Sequence, residues 1–188
     1  NGIYVTYRIT KKGWTIKNNL INGYAYGIQL NSAFSFPLNN FTIIGNKIGS
    51  DKDGLNGLGG STGMYIGQNS RLHHIGDGTI PGANLISGNP SFGIQISNSD
   101  SIWILGNLVG VGITGNAALG NNVGVSTTNS NNIWIGDGSI GGRNVISSHT
   151  MSGVIINGGD SVRILGNYIG LAANGNTALG NQNYGISL

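Results

Sequence analysis

Short runs of alternating apolar and polar residues recur along the whole chain, and a glycine introduces each one. The clearest are Gly27-Ile28-Gln29-Leu30, Gly93-Ile94-Gln95-Ile96 and Gly185-Ile186-Ser187-Leu188. A period of two marks a strand with one buried face. Equivalent starts fall at Gly2, Gly27, Gly63, Gly93, Gly124, Gly153 and Gly185, spaced 25 to 36 residues apart. A second strand is expected around Ile16, Ile43, Ile75, Ile104, Ile135 and Ile164. A third is expected around Ile21, Ile48, Ile86, Val109, Ile146 and Ile169. Clusters of Gly, Asn and Ser separate the strands, as turns require.

The units pair into a longer repeat. Ile44-Gly45-Asn46-Lys47-Ile48-Gly49 returns as Leu105-Gly106-Asn107-Leu108-Val109-Gly110 and as Leu165-Gly166-Asn167-Tyr168-Ile169-Gly170, at offsets of 61 and 60. Ile75-Gly76-Asp77-Gly78 and Asn84-Leu85-Ile86-Ser87 each return 60 residues later. Three short strands per unit cannot bury their apolar sides alone. Coiled into a triangle and stacked in register, they can, which is the solenoid solution of a parallel β-helix. Seven starts predict about six full coils and a seventh begun, a stack roughly 30 Å long. Alternate coils carry insertions. Long loops follow the third strand at 50–60, 111–121 and 171–181, and shorter ones join the second and third strands at 76–83 and 136–143.

Composition removes the competing classes. Of 188 residues, 35 are Gly and 27 are Asn, and only 8% are charged. Gly and Asn are poor helix formers, so bundles and coiled coils are excluded. Glycine lacks a period of three, which excludes collagen. Plentiful Ile, Leu and Val with low net charge disfavour disorder. No run of 18 apolar residues predicts a membrane span. The net charge of +3 rests on nine basic residues, and four of them (Arg8, Lys11, Lys12, Lys17) lie at the start. That is a basic end and not a basic face, so no nucleic-acid partner is expected. Zero Cys excludes disulfides and thiolate metal sites.

Few residues point to chemistry. One Asn precedes the third strand in every unit: Asn19, Asn46, Asn84, Asn107, Asn144 and Asn167. Six copies in phase fit a structural amide ladder, with Asn also suited to a left-handed turn. Asp51-Lys52-Asp53-Gly54 has the flavour of a calcium loop, but the sister loops contain no acid and a full oxygen cage needs more ligands. Asp51 and Asp53 are therefore expected in a tight turn, with calcium as the alternative. Asp77 and Asp137 repeat in one turn and Asp100 and Asp160 in another, as turn-forming Asx residues do. His73-His74 has no recurring acid near it. No pair of carboxylates suited to glycoside hydrolysis is evident, so no catalytic residue, cofactor or metal is expected.

The outward positions carry more. Alternation predicts Ile102 and Ile104 inward and Trp103 outward. Register then places Thr15, Thr42, His74, Trp103, Trp134 and Arg163 in one outer column, with the two Trp as stacked neighbours. Aromatic faces bind sugars, cations and proteins, and they also form ladders with one another. Leu20, Lys47, Leu85, Leu108, Val145 and Tyr168 should form a second outer column, mostly apolar, covered by the long loops or by another chain.

The stretch "IGDGSIGGRNVIS … GVIINGGDSVRILGNYIGLAANGNTALGNQNYGISL" resembles the repeat of large bacterial secreted and surface proteins of the right-handed β-helix class, over nearly the whole chain. The resemblance implies a right-handed, three-faced parallel β-helix displayed outside the cell or on its surface. It does not imply one activity, since this architecture carries polysaccharide-processing enzymes, adhesins and passive stalks alike. The expected role is a non-enzymatic structural or adhesive module of a fibre, stalk or adhesin; the alternative is a polysaccharide-binding or polysaccharide-processing protein. Residues 1–188 are read as one domain, a segment of a longer chain or a fibre subunit. Its end strands should be covered by flanking coils or by other subunits, and an isolated piece should be aggregation-prone or form axial polymers. Glycans and cell-surface partners are further candidates.

Overall fold

A computed structural model describes residues 2–5, 11–32 and 37–188. Arg8 and most of the Thr6–Gly13 segment lie outside these residues, and the Lys11 and Lys12 side chains lie outside with them. The described residues are all-β, contain no helix, and form three parallel sheets.

The first sheet has seven strands: Ile3–Val5, Tyr26–Asn31, Thr62–Gly67, Phe92–Ser97, Val123–Thr128, Val154–Asn157 and Ile186–Ser187, paired in chain order. These are the strands that follow the glycine starts. The second runs Lys11–Lys12, Leu38–Asn39, Arg71–Ile75, Asp100–Ile104, Asn131–Ile135 and Arg163–Ile164, with Thr15–Lys17 and Thr42–Ile44 paired alongside. The third runs Leu20–Ile21, Lys47–Ile48, Leu85–Ile86, Leu108–Val109, Val145–Ile146 and Tyr168–Ile169. Each strand pairs with its equivalents one pass earlier and later, so the architecture is consistent with a parallel β-helix.

Alternation explains the core. Ile28 and Leu30, Ile94 and Ile96, Ile102 and Ile104, and Ile133 and Ile135 are fully buried, while Gln29, Gln95, Trp103 and Trp134 between them are not. Ile48, Ile86, Val109 and Ile146 close the third side of the same apolar cluster. Burying such a side chain stabilises the fold by about 1.5–3 kcal/mol, and no strand could do it alone.

The glycine starts have a steric cause. A Cβ on Gly93 would lie 2.7 Å from the Gly124 carbonyl oxygen, and one on Gly124 would lie 2.5 Å from that of Gly153. At this corner the chain passes too close to its neighbour for any side chain.

The long loops build a layer over the third sheet. Each closes through an antiparallel bridge: Ser50 with Gly57, Val111 with Ala118, and Leu171 with Ala178. They also bond to one another, Ile113 N to Gly54 O at 3.0 Å and Ala173 N to Gly115 O at 2.9 Å. Leu85 and Val145 in the outer column are buried, and the loops pack against Leu85 at Gly54, Leu108 at Gly115 and Tyr168 at Gly175. The chain's own loops thus cover much of this column. Leu20, beyond their reach, stays exposed.

Candidate functional site: stacked side-chain columns

The outer column of the second sheet forms in the expected register. Thr15 pairs with Thr42, Thr42 with His74, His74 with Trp103, Trp103 with Trp134, and Trp134 with Arg163. Parallel strands about 4.8 Å apart bring these side chains into contact along the stack. The His74 and Trp103 rings are stacked, with centroids 4.8 Å apart and planes at 6°. Trp103 meets Trp134 edge to face, at 5.1 Å and 69°. The Arg163 guanidinium lies 5.2 Å from the Trp134 centroid. The rings therefore serve as partners for one another and for a cation. Both indoles remain half-buried and His74 is exposed, so the ridge is still open to solvent. Trp134 Nε1 is buried without a partner.

The Asn column is a continuous ladder. Asn19 Nδ2 donates to Asn46 Oδ1 at 2.9 Å, Asn46 to Asn84 at 3.0 Å, Asn84 to Asn107 at 2.8 Å, Asn107 to Asn144 at 3.1 Å, and Asn144 to Asn167 at 2.8 Å. Each acceptor oxygen also takes the backbone N–H of the preceding Asn in the column. The same amides donate to core-strand carbonyls, as Asn107 does to Ile75 O at 2.7 Å. The expected left-handed conformation falls elsewhere: Asn18, Gly45, Gly106 and Gly166, each one residue earlier, have positive φ, and the ladder Asn do not. At these four positions the preceding residue turns the corner, which leaves the Asn side chain free to point along the stack.

Two further ladders escaped the sequence reading. At the corner between the third and first sheets, Asn89 Nδ2 donates to Asn121 Oδ1 at 3.0 Å, Asn121 N to His149 Nδ1 at 3.2 Å, and His149 N to Asn181 Oδ1 at 3.0 Å. At the corner between the first and second sheets, Ser99 N donates to Ser130 Oγ at 3.2 Å, while Ser70, Ser99 and Ser130 hydroxyls each bond a nearby carbonyl. The signals were present. Asn89 and His149 are 60 residues apart, as are Asn121 and Asn181, and the dipeptide Asn-Ser recurs at 69–70, 98–99 and 129–130.

Two histidines are buried among neutral groups. Burial pushes the His149 imidazole down to about 4. His73 is pushed down to about 3, chiefly by burial and secondarily by the neighbouring His74. His73 Nδ1 accepts from Phe41 N at 3.1 Å, and its ring meets Phe41 edge to face at 5.4 Å. Each Nδ1 is an acceptor, which assigns the proton to Nε2, and neither Nε2 has a partner. His73 points into the core and His74 out of it, so the two do not form one site.

Asp51, Asp77 and Asp137 serve turns, whereas Asp100, expected in a turn, begins the strand Asp100–Ile104 and accepts from the Ser101 hydroxyl. Asp51 Oδ1 accepts from Leu55 N at 2.9 Å and Oδ2 from Asn56 Nδ2 at 2.6 Å; these bonds, the Asn56 one foremost, hold the carboxyl down at about 2. Asp53 pairs with Lys52 at 2.8 Å. Asp77 accepts from Thr79 N at 2.9 Å and Asp137 from Ser139 N at 2.8 Å, the Asx turns their repetition suggested. Among the described residues no three His, Cys, Asp or Glu gather where they could share a metal ion. A polar groove follows the corner between the first and second sheets, lined by Asn69, Arg71, Asn98, Asp100, Asn129 and Asn131.

Compared with known proteins, the chain matches no family model, no curated protein and no solved structure.

Proposed function

We propose that this chain is a non-enzymatic structural and adhesive module, a right-handed parallel β-helix of about six full coils of the kind found in large bacterial secreted and surface proteins. One observation carries the reading: the side chains that could do chemistry are bonded along the stack. The Asn ladder, the Asn/His ladder and the His74–Trp103–Trp134–Arg163 ridge join successive strands, and Asp51, Asp77 and Asp137 hold turns. Such bonding suits an extended element that must stay rigid outside the cell, in a fibre, stalk or adhesin. Adjacent coils of a longer chain or other subunits are its axial partners, and the aromatic ridge is the surface offered to a cell-surface partner.

The polar groove on Arg71, Asp100 and Asn131 favours a second reading, polysaccharide binding, because amides, a guanidinium and a carboxylate match sugar hydroxyls. Antibody labelling of intact cells and incubation of the purified chain with acidic and neutral polysaccharides, with and without Ca²⁺, test both. Surface labelling without release of unsaturated or reducing ends is expected. Reproducible release, abolished by Asp51→Ala with Asp53→Ala, would overturn the non-enzymatic reading. Glycan retention without cleavage would move the assignment to the second.

A further inference from the structure

Five Asn-Gly pairs occur in the sequence: Asn1-Gly2, Asn22-Gly23, Asn56-Gly57, Asn157-Gly158 and Asn174-Gly175. Asn1 lies outside the described residues, and the structure treats the other four unequally. Asn22 Nδ2 donates to Ser50 O at 2.7 Å and its Oδ1 accepts from Gly49 N at 3.0 Å. Asn56 Nδ2 donates to Asp51 Oδ2 at 2.6 Å. Asn174 Oδ1 accepts from Asn176 N and Thr177 N, at 2.9 and 3.1 Å, and its Nδ2 donates to Thr177 Oγ1. Gly175 N is itself held by Ala172 O at 2.9 Å.

Asn157 differs in its side chain. It is exposed at the end of the strand Val154–Asn157, and its side-chain amide has no partner among the described residues. Gly158 N donates to no backbone carbonyl among them. Gly158 and Gly159 follow with φ of +70° and +94°, and the only atom within 4 Å of where a Gly158 Cβ would stand, among the described residues, is Asn129 Oδ1 at 3.0 Å.

We propose that Asn157 is a modification site at which the chain deamidates spontaneously. Deprotonated Gly158 N attacks Asn157 Cγ, forming a C–N bond and a five-membered succinimide. The Cγ–Nδ2 bond breaks, and Nδ2 leaves as ammonia after gaining a proton. Water then opens the ring at either carbonyl, leaving a carboxylate on a normal or an isoaspartyl backbone. No oxidant, metal or enzyme is required. The product carries a new negative charge three residues from Asp160, and the isoaspartyl form lengthens the main chain where Asn157 O accepts from Asn129 N at 2.9 Å.

The test uses the full 188-residue chain, incubated folded at mildly alkaline pH and digested with trypsin. The four sites fall on separate peptides, 18–47, 53–71, 144–163 and 164–188. Mass spectrometry with fragmentation reads the replacement of NH₂ by OH at each Asn. Since the other three must first break one or more hydrogen bonds, Asn157 should convert roughly tenfold faster than any of them. Gly158→Ala should slow conversion at Asn157 alone. In the urea-unfolded chain the four rates should converge. Equal rates in the folded protein would overturn the proposal. So would a lead for Asn157 of the same size in urea, since the preference would then lie in the local sequence and not in the fold.

Discussion

Replacing His149 by Asn should make the protein markedly more resistant to acid. His149 occupies a column whose neighbours are Asn121 and Asn181. Its imidazole falls from an ordinary 6.5 to about 4 on folding, and that of His73 to about 3. A depressed basic group is neutral in the fold and charges first in the unfolded chain. Its contribution is complete above pH 6.5 and is lost as pH falls toward about 4 for His149 and about 3 for His73. Between pH 7 and pH 4.5 each histidine should cost about 2–3 kcal/mol, and the pair about 5 kcal/mol. That is comparable with the whole stability of many domains. Asp51, Asp77 and Asp137 are all held below the usual 3.8, so their loss begins at lower pH and does not confuse the comparison.

An Asn at 149 can accept from Asn121 N through its oxygen and donate along the ladder, as Asn121 Nδ2 donates to Ile86 O at 3.0 Å. It is smaller than imidazole, which packs against Gly110 and Gly124, so a packing loss of about 1 kcal/mol at pH 7 is expected. Urea unfolding followed by tryptophan fluorescence at about pH 7 and pH 4.5 provides the measurement. The variant should lose about half as much stability as the parent between the two. An identical loss in both proteins would refute the reasoning, because the acid sensitivity would then lie outside this column.

Breaking the Asn ladder should depend on depth. Asn107→Leu strands the N–H of Asn84 and takes one bond each from Asn84 Nδ2 and the Ile75 carbonyl, which keep Ile43 O and Leu105 N as partners, and should cost about 3 kcal/mol, whereas Asn19→Leu at the exposed end should cost under about 1 kcal/mol; equal melting temperatures for the two variants would argue against it. Ile104→Asp should abolish folding by burying an unpaired charge, while Gln95→Asp, on an outward position of the first sheet, should be mild. Circular dichroism melts separate these two, and equal losses would show the inward and outward assignment to be wrong.

Strand alternation and the 60-residue period alone placed three strands in each unit, and with them the pairing of His74, Trp103, Trp134 and Arg163 and the column Asn19 to Asn167. These features were legible because the three parallel sheets repeat one local solution, so a residue's contacts are its equivalents one unit away. Other properties needed the fold. That His149 bonds within an Asn column, and that the chain's own loops cover Leu85, depend on how corners close in three dimensions. The left-handed residue one place before Asn19, Asn46, Asn107 and Asn167 was hidden for the same reason: sequence shows which residue types tolerate a turn, but only the folded backbone shows which residue makes it. Ring stacking likewise arises from strand spacing, which sets whether indoles face one another or a partner.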